Sequence, residues 1–330
     1  MFLILLLLLA VTSVKFGPRL VYRFFGNLWL KKYESRLTKA QINDIQKGIQ
    51  GLKAKIVWAS NRTGNHEIFL MTLPDLKMYQ LTHNPHVNTF PRFSPDGEKI
   101  LFCRSQPRWI SQRNFELWDV YLLSLTTNKE ILVAKNGFVP QWITNSRVSF
   151  ARKNKVMIKD LETGKEEMIL DCDQEPILSE ITTPEFFRQD PNLLVMTLRG
   201  KQNGVFVWER KKGSLLKIGF GCEPTWVPSG QEVIWVANGG NGGTQLLKSS
   251  ISNPRENLFM DLPGRYSHEY FPRLSTDGKW LVWAATAEGH EPDVVDYEIF
   301  LWKVEAPFSQ AVRLTYNPAN DQWPDILLEH

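Results

Sequence analysis

A short phrase built around a proline recurs six times along the chain. Its fullest copies are Pro-Arg-Phe-Ser-Pro-Asp-Gly at residues 91–97 and Pro-Arg-Leu-Ser-Thr-Asp-Gly at residues 272–278. The other copies begin at Pro140, Pro184, Pro224 and Pro324. The copies lie roughly 40 to 52 residues apart, which is the length of a four-stranded propeller blade. The spacing therefore predicts a ring of repeated blades.

Each repeat has the same order of turns and strands. The Asp-Gly turn is followed by a run of branched and aromatic residues, at 99–103 in one repeat and 279–283 in another, which is typical of a buried strand. A variable loop and two further strands come next. Strands of this kind, too short to bury a core alone, stack face to face around an axis.

The two ends of the array predict how the ring closes. The first repeat begins at residues 55–58 without a proline strand of its own, and the last phrase, at residues 322–326, has no further strands after it. Joined, they complete one blade and hide the sheet edges. We therefore expect an all-β fold, a six-bladed β-propeller of four-stranded blades at residues 53–327.

Several motifs resemble the repeat of the TolB-type (PD40-type) six-bladed propellers. They are Ser-Asn-Arg-Thr-Gly-Asn-His-Glu-Ile-Phe at residues 60–69, Leu-Thr-His-Asn-Pro at 81–85 and Phe-Ser-Pro-Asp-Gly at 93–97, and Leu-Thr-Tyr-Asn-Pro at 314–318 repeats the second. The resemblance is strongest in blades one, two and six. It implies the fold and leaves the function open, because family members range from envelope adaptors to propeller halves of peptidases and a few sugar-cleaving enzymes. Residues 15–52 are too few for the α/β domain that precedes the propeller in TolB itself.

Composition and motifs exclude several functions. The net charge is only +4, with lysines and arginines scattered among acidic residues, so no nucleic acid is expected as a partner. Cys103, Cys172 and Cys222 have no close spacing and predict neither a zinc site nor a disulfide. The chain lacks a Gly-x-Ser-x-Gly elbow, so no catalytic residue is predicted.

The N-terminus predicts a membrane-associated segment at residues 1–32. Residues 2–14 are uninterrupted apolar sequence, long enough for a signal-peptide core and short of the ~20 residues that span a bilayer. Basic residues interleaved with aromatic ones follow, which suits a helix at the lipid interface. The segment is either retained or cleaved after Ser13. The expected membrane contacts are Phe2, Leu5, Leu8, Lys15, Arg19, Arg23, Phe24 and Trp29.

The segments on either side of the propeller, and the side of the membrane on which it lies, can also be predicted. Residues 33–52 form a helical connector, with apolar residues at Leu37, Ile42, Ile45 and Ile49, and residues 328–330 resemble a cloning remnant. Positive charge only after the apolar run favours the cytoplasmic face of the membrane. The family resemblance implies the periplasmic face, which we favour.

The blade pattern also separates two faces of the ring. The Asp-Gly turns lie on one, here called the turn face, and the loops after the second strands and between blades lie on the other, the loop face. Residues just before the innermost strands are predicted to form a funnel mouth on the loop face: His86, Asn88, His268, Glu269, Asn320 and Asp321. They could bind a divalent metal or a peptide terminus, or only solvate the funnel and tie blades together.

Two long loops are the predicted partner-binding surface, because aromatic residues and arginines anchor protein interfaces. One lies in blade two and the other, an acidic loop with an apolar centre, in blade six. The predicted contacts are Arg108, Trp109, Ile110, Arg113, His290, Glu291 and Asp293.

The sequence therefore favours a non-catalytic scaffold, a membrane-anchored accessory subunit whose partners are other protein subunits and the lipid bilayer. No cofactor is expected, apart from a divalent metal in the funnel. One alternative is a metal-assisted saccharide lyase or hydrolase with His83, His86 and His268 as ligands. The other is a soluble periplasmic adaptor.

Overall fold

A computed structural model of the chain describes residues 31–33, 37–174, 177–289 and 291–329. The strands form six sheets, as predicted. From the axis outward, blade one contains β25 (Asp321–Leu328), β2 (Ala54–Ser60), β3 (Glu67–Leu73) and β4 (Met78–Gln80). Blade two contains β5 (Asn88–Phe93), β6 (Lys99–Ser105), β7 (Trp118–Ser124) and β8 (Glu130–Ala134). Blade three contains β9 (Phe138–Trp142), β10 (Arg147–Arg152), β11 (Lys155–Asp160) and β12 (Glu166–Asp171).

The other three blades follow the same order. Blade four contains β13 (Ser179–Phe186), β14 (Leu193–Gly200), β15 (Gly204–Glu209) and β16 (Ser214–Gly219). Blade five contains β17 (Cys222–Trp226), β18 (Glu232–Gly239), β19 (Gly243–Ser250) and β20 (Asn257–Met260). Blade six contains β21 (His268–Leu274), β22 (Trp280–Thr286), β23 (Tyr297–Lys303) and β24 (Val312–Arg313). The first strand of each blade contacts the first strands of its neighbours, so these six strands surround the axis. A 3₁₀ turn, Phe308–Gln310, precedes β24.

The ring closes in blade one, where β25 pairs antiparallel with β2. Asp321, at the start of β25, is fully buried and accepts a hydrogen bond of 3.2 Å from the Trp58 indole. Its carboxylate also forms an ion pair of 2.7 Å with Arg62, whose guanidinium lies over the ring of Phe69. The closure predicted from the two ends of the array is therefore confirmed, and it is held by a buried charge pair.

The repeated Ser-x-Asp-Gly turns have identical hydrogen bonding in blades two and six. The Ser94 hydroxyl donates to Asp96 at 2.6 Å and accepts from the Lys99 amide at 2.9 Å. In blade six, Ser275, Asp277 and Trp280 repeat these contacts. The glycines at positions 97 and 278 have φ of about 70°, a conformation that glycine adopts without steric cost. The turn residues of the repeat are thus explained by local chemistry.

The Leu-Thr-x-Asn motif ties the third strand of a blade to the chain that leaves it. The Thr82 hydroxyl accepts from the Ile68 amide at 2.9 Å and donates to the carboxylate of Glu67 at 2.5 Å. The same carboxylate accepts from the Asn84 amide at 2.8 Å. Glu298 and Asn317 repeat this last contact in blade six. The motif therefore places one buried glutamate in each of these blades.

The connector contains one helix, α1 (Lys39–Ile49), inside the predicted range 33–52. Thr38 and Gln41 form a capping box at its start. Ile45 and Ile49 are fully buried, and an added Cβ at Gly48 would lie 2.0 Å from the side chain of Val312, so only glycine permits this close approach to β24. The helix therefore covers the outer edge of blade six.

A fifth strand covers the outer edge of blade one, since β1 (Lys31–Tyr33) pairs with β4. The outermost described strand of this sheet is therefore β1 and not β4. No helix in the described ranges is long and apolar enough to span a bilayer. The predicted membrane contacts, from Phe2 to Trp29, lie outside the described residues.

We expect Asp321→Ala to lower the free energy of unfolding by about 3–5 kcal/mol, because it leaves the guanidinium of Arg62 buried without its counter-charge. Chemical denaturation of both proteins measures the difference. The matched control is Glu167→Ala, which removes an ion pair to Arg210 that is half exposed and should cost within about 1 kcal/mol. Equal losses in the two variants would show that closure does not depend on the buried pair.

Candidate functional site

The residue before each repeated proline has an unusual backbone conformation. All six have φ between 46° and 57°, although none is glycine. Each lies in the innermost strand of its blade, and strand pairing shifts register there, as in a β-bulge. The six residues are Phe90, Val139, Thr183, Glu223, Phe271 and Trp323. Left-handed conformations of this kind are costly for residues with a Cβ and cluster at functional sites.

These six residues line one cavity on the axis, open toward the loop face. Its volume is about 360 Å³. Gln112, Arg113 and Pro292, from the two long loops, lie around the same space. We call it the loop-face cavity. The bulges therefore turn one side chain per blade toward a common space on the axis.

One half of the loop-face cavity is aromatic. The Trp323 ring lies between those of Phe90 and Phe271, with ring centroids 3.7 and 3.8 Å apart. Its indole N–H donates to the side chain of Gln112 at 2.7 Å. The three rings come from adjacent blades two, one and six. They give the cavity an apolar wall that can bury a partner's apolar side chain.

The opposite half is polar. The Glu223 carboxylate accepts a hydrogen bond of 2.8 Å from the Phe271 amide. Burial raises the pKa of Glu223 to about 8, against the lowering by this hydrogen bond and by Arg273. Cys222 also lines the cavity, and burial raises the pKa of its thiol to about 12, so it remains a thiol at neutral pH.

The two long loops of the predicted partner-binding surface contact each other beside this cavity. Arg113 forms an ion pair of 2.8 Å with Glu291. Asp293 accepts a hydrogen bond from the Ser111 hydroxyl and another, of 3.1 Å, from the Gln112 amide. Loops of blades two and six thus form one bridge across blade one.

The predicted partner-binding residues differ in their exposure and in their contacts. Arg108 is exposed, and Trp109 is 69% exposed. Ile110 is 9% exposed and belongs to the hydrophobic core, because the loop folds back over its blade. Arg113, Glu291 and Asp293 contact the opposite loop, and His290 lies outside the described residues. Val294, 79% exposed, adds an apolar residue that was not predicted.

The residues predicted for the funnel mouth mostly tie elements together. Asn88 is buried and donates to the carboxylate of Glu67 at 2.8 Å, while accepting from Arg104 at 2.9 Å. Asn320 donates to the Pro292 carbonyl at 2.6 Å. Asp321 closes the ring as described above. Asn88, Asn320 and Asp321 therefore connect parts of the ring, which is one of the roles predicted for the funnel-mouth residues.

The predicted histidines occupy different surroundings. His83 is exposed, and a ring nitrogen of His86 lies 3.2 Å from the Pro107 carbonyl oxygen. His268 begins β21 and is half-buried. Within the part of the chain that the structure describes, no three His, Cys, Asp or Glu side chains come together as a metal site would require.

The residues after the six prolines line a second cavity, at the turn face, with a volume of about 120 Å³. They are Arg92, Gln141, Glu185, Thr225, Arg273 and Asp325. We call this the turn-face cavity. Sequence reasoning missed both rings, although the signal was present in the columns of residues that flank the six prolines.

Glu269 provides a pH-dependent test of the loop-face architecture. It is fully buried and accepts a hydrogen bond of 2.6 Å from the Leu262 amide, and burial raises its pKa from 4.5 to about 8. Between these two values the folded chain keeps a proton that the unfolded chain has released. Raising the pH through this window therefore lowers the free energy of unfolding, by about 1.4 kcal/mol per pH unit.

We expect Glu269→Gln to reduce this slope, because the amide resembles the protonated carboxyl and does not titrate. Urea unfolding between pH 5 and pH 8 measures it in both proteins. Glu162→Gln, at an exposed carboxyl, should keep the parent slope. A parent-like slope in Glu269→Gln would contradict the raised pKa.

No protein-family model and no curated protein matches the sequence. Among solved structures, TolB from Acinetobacter baumannii is similar with a TM-score of 0.62 at 14% identity, over 84% of this chain and 67% of that one. A putative TolB from Agrobacterium tumefaciens has a TM-score of 0.54 at 14% identity, over 80% and 89%. Oligogalacturonate lyase from Vibrio parahaemolyticus has a TM-score of 0.52 at 14% identity, over 78% and 74%. The chain therefore has a TolB-like six-bladed propeller fold.

Proposed function

We propose that the chain is a non-catalytic interaction protein, an accessory subunit of a membrane complex that docks another protein on its loop face. The observation that carries the proposal is the bridge of the two long loops. The same two loops contribute Gln112, Arg113 and Pro292 to the lining of the loop-face cavity and carry Trp109 and Val294, each more than two-thirds exposed. Exposed tryptophan next to a concave apolar site is a typical interface anchor.

The loop-face cavity supports the proposal through its two unlike halves. An apolar side chain of the partner would pack on the rings of Phe90, Trp323 and Phe271. Polar groups of the partner would meet Arg199, Glu180 and Thr183 on the other side. Such a combination gives affinity from burial and orientation from a few polar contacts.

Strand β1 supports attachment to a membrane. It begins at Lys31, at the C-terminal end of the predicted membrane segment 1–32, and its pairing with β4 fastens this part of the chain to the outer edge of blade one. A short connection keeps the propeller close to the bilayer, which raises its effective concentration toward membrane partners. We propose the periplasmic face as its location.

Replacing Trp109 tests the docking surface. We expect Trp109→Ala to weaken retention of a stoichiometric companion protein at least tenfold in detergent extracts of the native membrane, because truncating an anchor tryptophan costs about 2 kcal/mol or more. Quantitative mass spectrometry of the purified complex measures the loss. The thermal midpoint should not change, since the side chain is exposed.

The matched control is Met168→Ala, which removes an exposed apolar side chain, 51% accessible, from the outermost strand of blade three. It should retain the companion. Equal retention by the Trp109 variant and the parent would contradict the proposed surface. A chain that purifies alone with a tightly bound metal, and loses it in His86→Ala, would favour the lyase or hydrolase alternative.

The mass of the protein in its native membrane tests the anchor. We expect an intact mass that includes Met1 and a protein that stays in the membrane fraction after a carbonate wash, because residues 2–14 would remain as an apolar contact. A mass beginning near Val14, together with release by carbonate, would instead support the soluble periplasmic adaptor.

A further inference from the structure

The turn-face cavity carries an unusual set of charges. Arg92 and Arg273 follow two of the repeated prolines, and Arg188 joins them from the turn between β13 and β14. The acidic residues around the same space are Glu185 and Asp325. Three guanidinium groups therefore face two carboxylates in a space of about 120 Å³.

Both carboxylates already have strong partners. Glu185 forms an ion pair with Arg273 and accepts a hydrogen bond of 3.2 Å from the Thr225 hydroxyl. Asp325 accepts from the backbone amides of Phe93, at 2.8 Å, and Ile326, at 3.0 Å. The set therefore has one positive charge more than its two carboxylates can balance, and among the described residues neither Arg92 nor Arg188 forms an ion pair with either of them.

Arg92 is the buried one of the two arginines that form no ion pair in this cavity. It is 2% exposed, and its terminal nitrogen donates only to backbone carbonyls, that of Pro91 at 2.7 Å and more weakly those of Trp323 and Pro324. Its Nε has no hydrogen-bond partner among the described residues. Burial, helped by the charge of Arg273, lowers the pKa of Arg92 to about 9, so the side chain is still charged at neutral pH. The nearby charges of Asp325 and Glu185 favour the guanidinium, but neither carboxylate accepts a hydrogen bond from it, and a buried donor without a partner is costly.

Arg188 is the exposed member. It lines the same cavity, and no described residue forms a hydrogen bond or an ion pair with its side chain. A guanidinium is planar and presents several N–H groups, which suits it to binding carboxylate and phosphate oxygens in pairs. Arg92 and Arg188 could therefore contact one anion from two sides.

We propose that the turn-face cavity binds a small oxyanion, either inorganic phosphate or a carboxylate group, between Arg92 and Arg188. A bound oxyanion balances the excess positive charge of the cavity and accepts a hydrogen bond from the unpartnered Nε of Arg92. The cavity volume of about 120 Å³ is several times the volume of a water molecule in the liquid, about 30 Å³, so a group of a few heavy atoms fits in it. This site lies at the opposite end of the axis from the proposed docking surface and does not depend on it.

Calorimetric titration and thermal unfolding of the full chain in detergent test the site, with sodium phosphate and sodium acetate compared against sodium chloride at equal ionic strength. We expect saturable binding and a raised midpoint with phosphate or acetate and not with chloride. Saturation by phosphate alone identifies a phosphate site, and saturation by acetate identifies a carboxylate site. Both anions behaving like chloride would overturn the proposal.

The variants locate the site. Arg188→Gln should weaken binding about tenfold, and the ligand-free protein should change its midpoint little, because the Arg188 side chain forms no hydrogen bond or ion pair with a described residue. Arg92→Gln should abolish binding. If the Arg92→Gln protein does not fold, the Arg188→Gln variant alone decides whether the anion binds at this site. The matched control is Arg255→Gln, at an exposed arginine between β19 and β20. Parent-like affinity in Arg188→Gln would contradict the site.

Discussion

The pairing of β25 with β2 is the contact on which the rest of the molecule depends. It joins the two ends of the propeller, and the buried ion pair between Asp321 and Arg62 holds it in place. Because β25 is also the innermost strand of blade one, it supplies Trp323 to the loop-face cavity and Asp325 to the turn-face cavity. An open ring would lack the central ring of the aromatic wall and one carboxylate of the charged end. Closure therefore builds the candidate sites as well as the fold.

The two cavities on the axis differ in chemistry although they are built by the same six strands. At the loop face, three stacked aromatic rings oppose a polar wall, and the bridge of the two long loops lies above them. At the turn face, charged side chains dominate, and the Nε of Arg92 has no hydrogen-bond partner among the described residues. The repeated prolines separate the two sets, because the residue before each proline faces one cavity and the residue after it lines the other. One molecule can therefore offer an apolar binding site and an anionic one at opposite ends of its axis.

The sequence allowed the fold to be predicted because its repeats are local. A Ser-x-Asp-Gly turn forms from neighbouring residues, such as Ser94 and Asp96, so its meaning can be inferred without the rest of the chain. The candidate site was predicted only in part. The ion pair between Arg113 and Glu291 joins loops of different blades, and Ile110 is buried because its loop folds back, which no spacing indicates. The left-handed backbone before each proline cannot be inferred from residue type either, because residues as different as Val139 and Glu223 adopt it. Structural neighbours at 14% identity establish the fold alone.

The bulge at each proline also has a consequence for how such a ring can change. The Pro-centred bulge interrupts the ladder of its strand, so the side chains on either side of it line the two cavities on the axis. Residues as different as Gln141, Thr225 and Asp325 occupy the position after the proline without altering the strand. The position before the proline accepts valine and glutamate as well as aromatic residues. Twelve positions can thus vary around a constant frame, and new specificities can arise along the axis while the blades themselves stay the same.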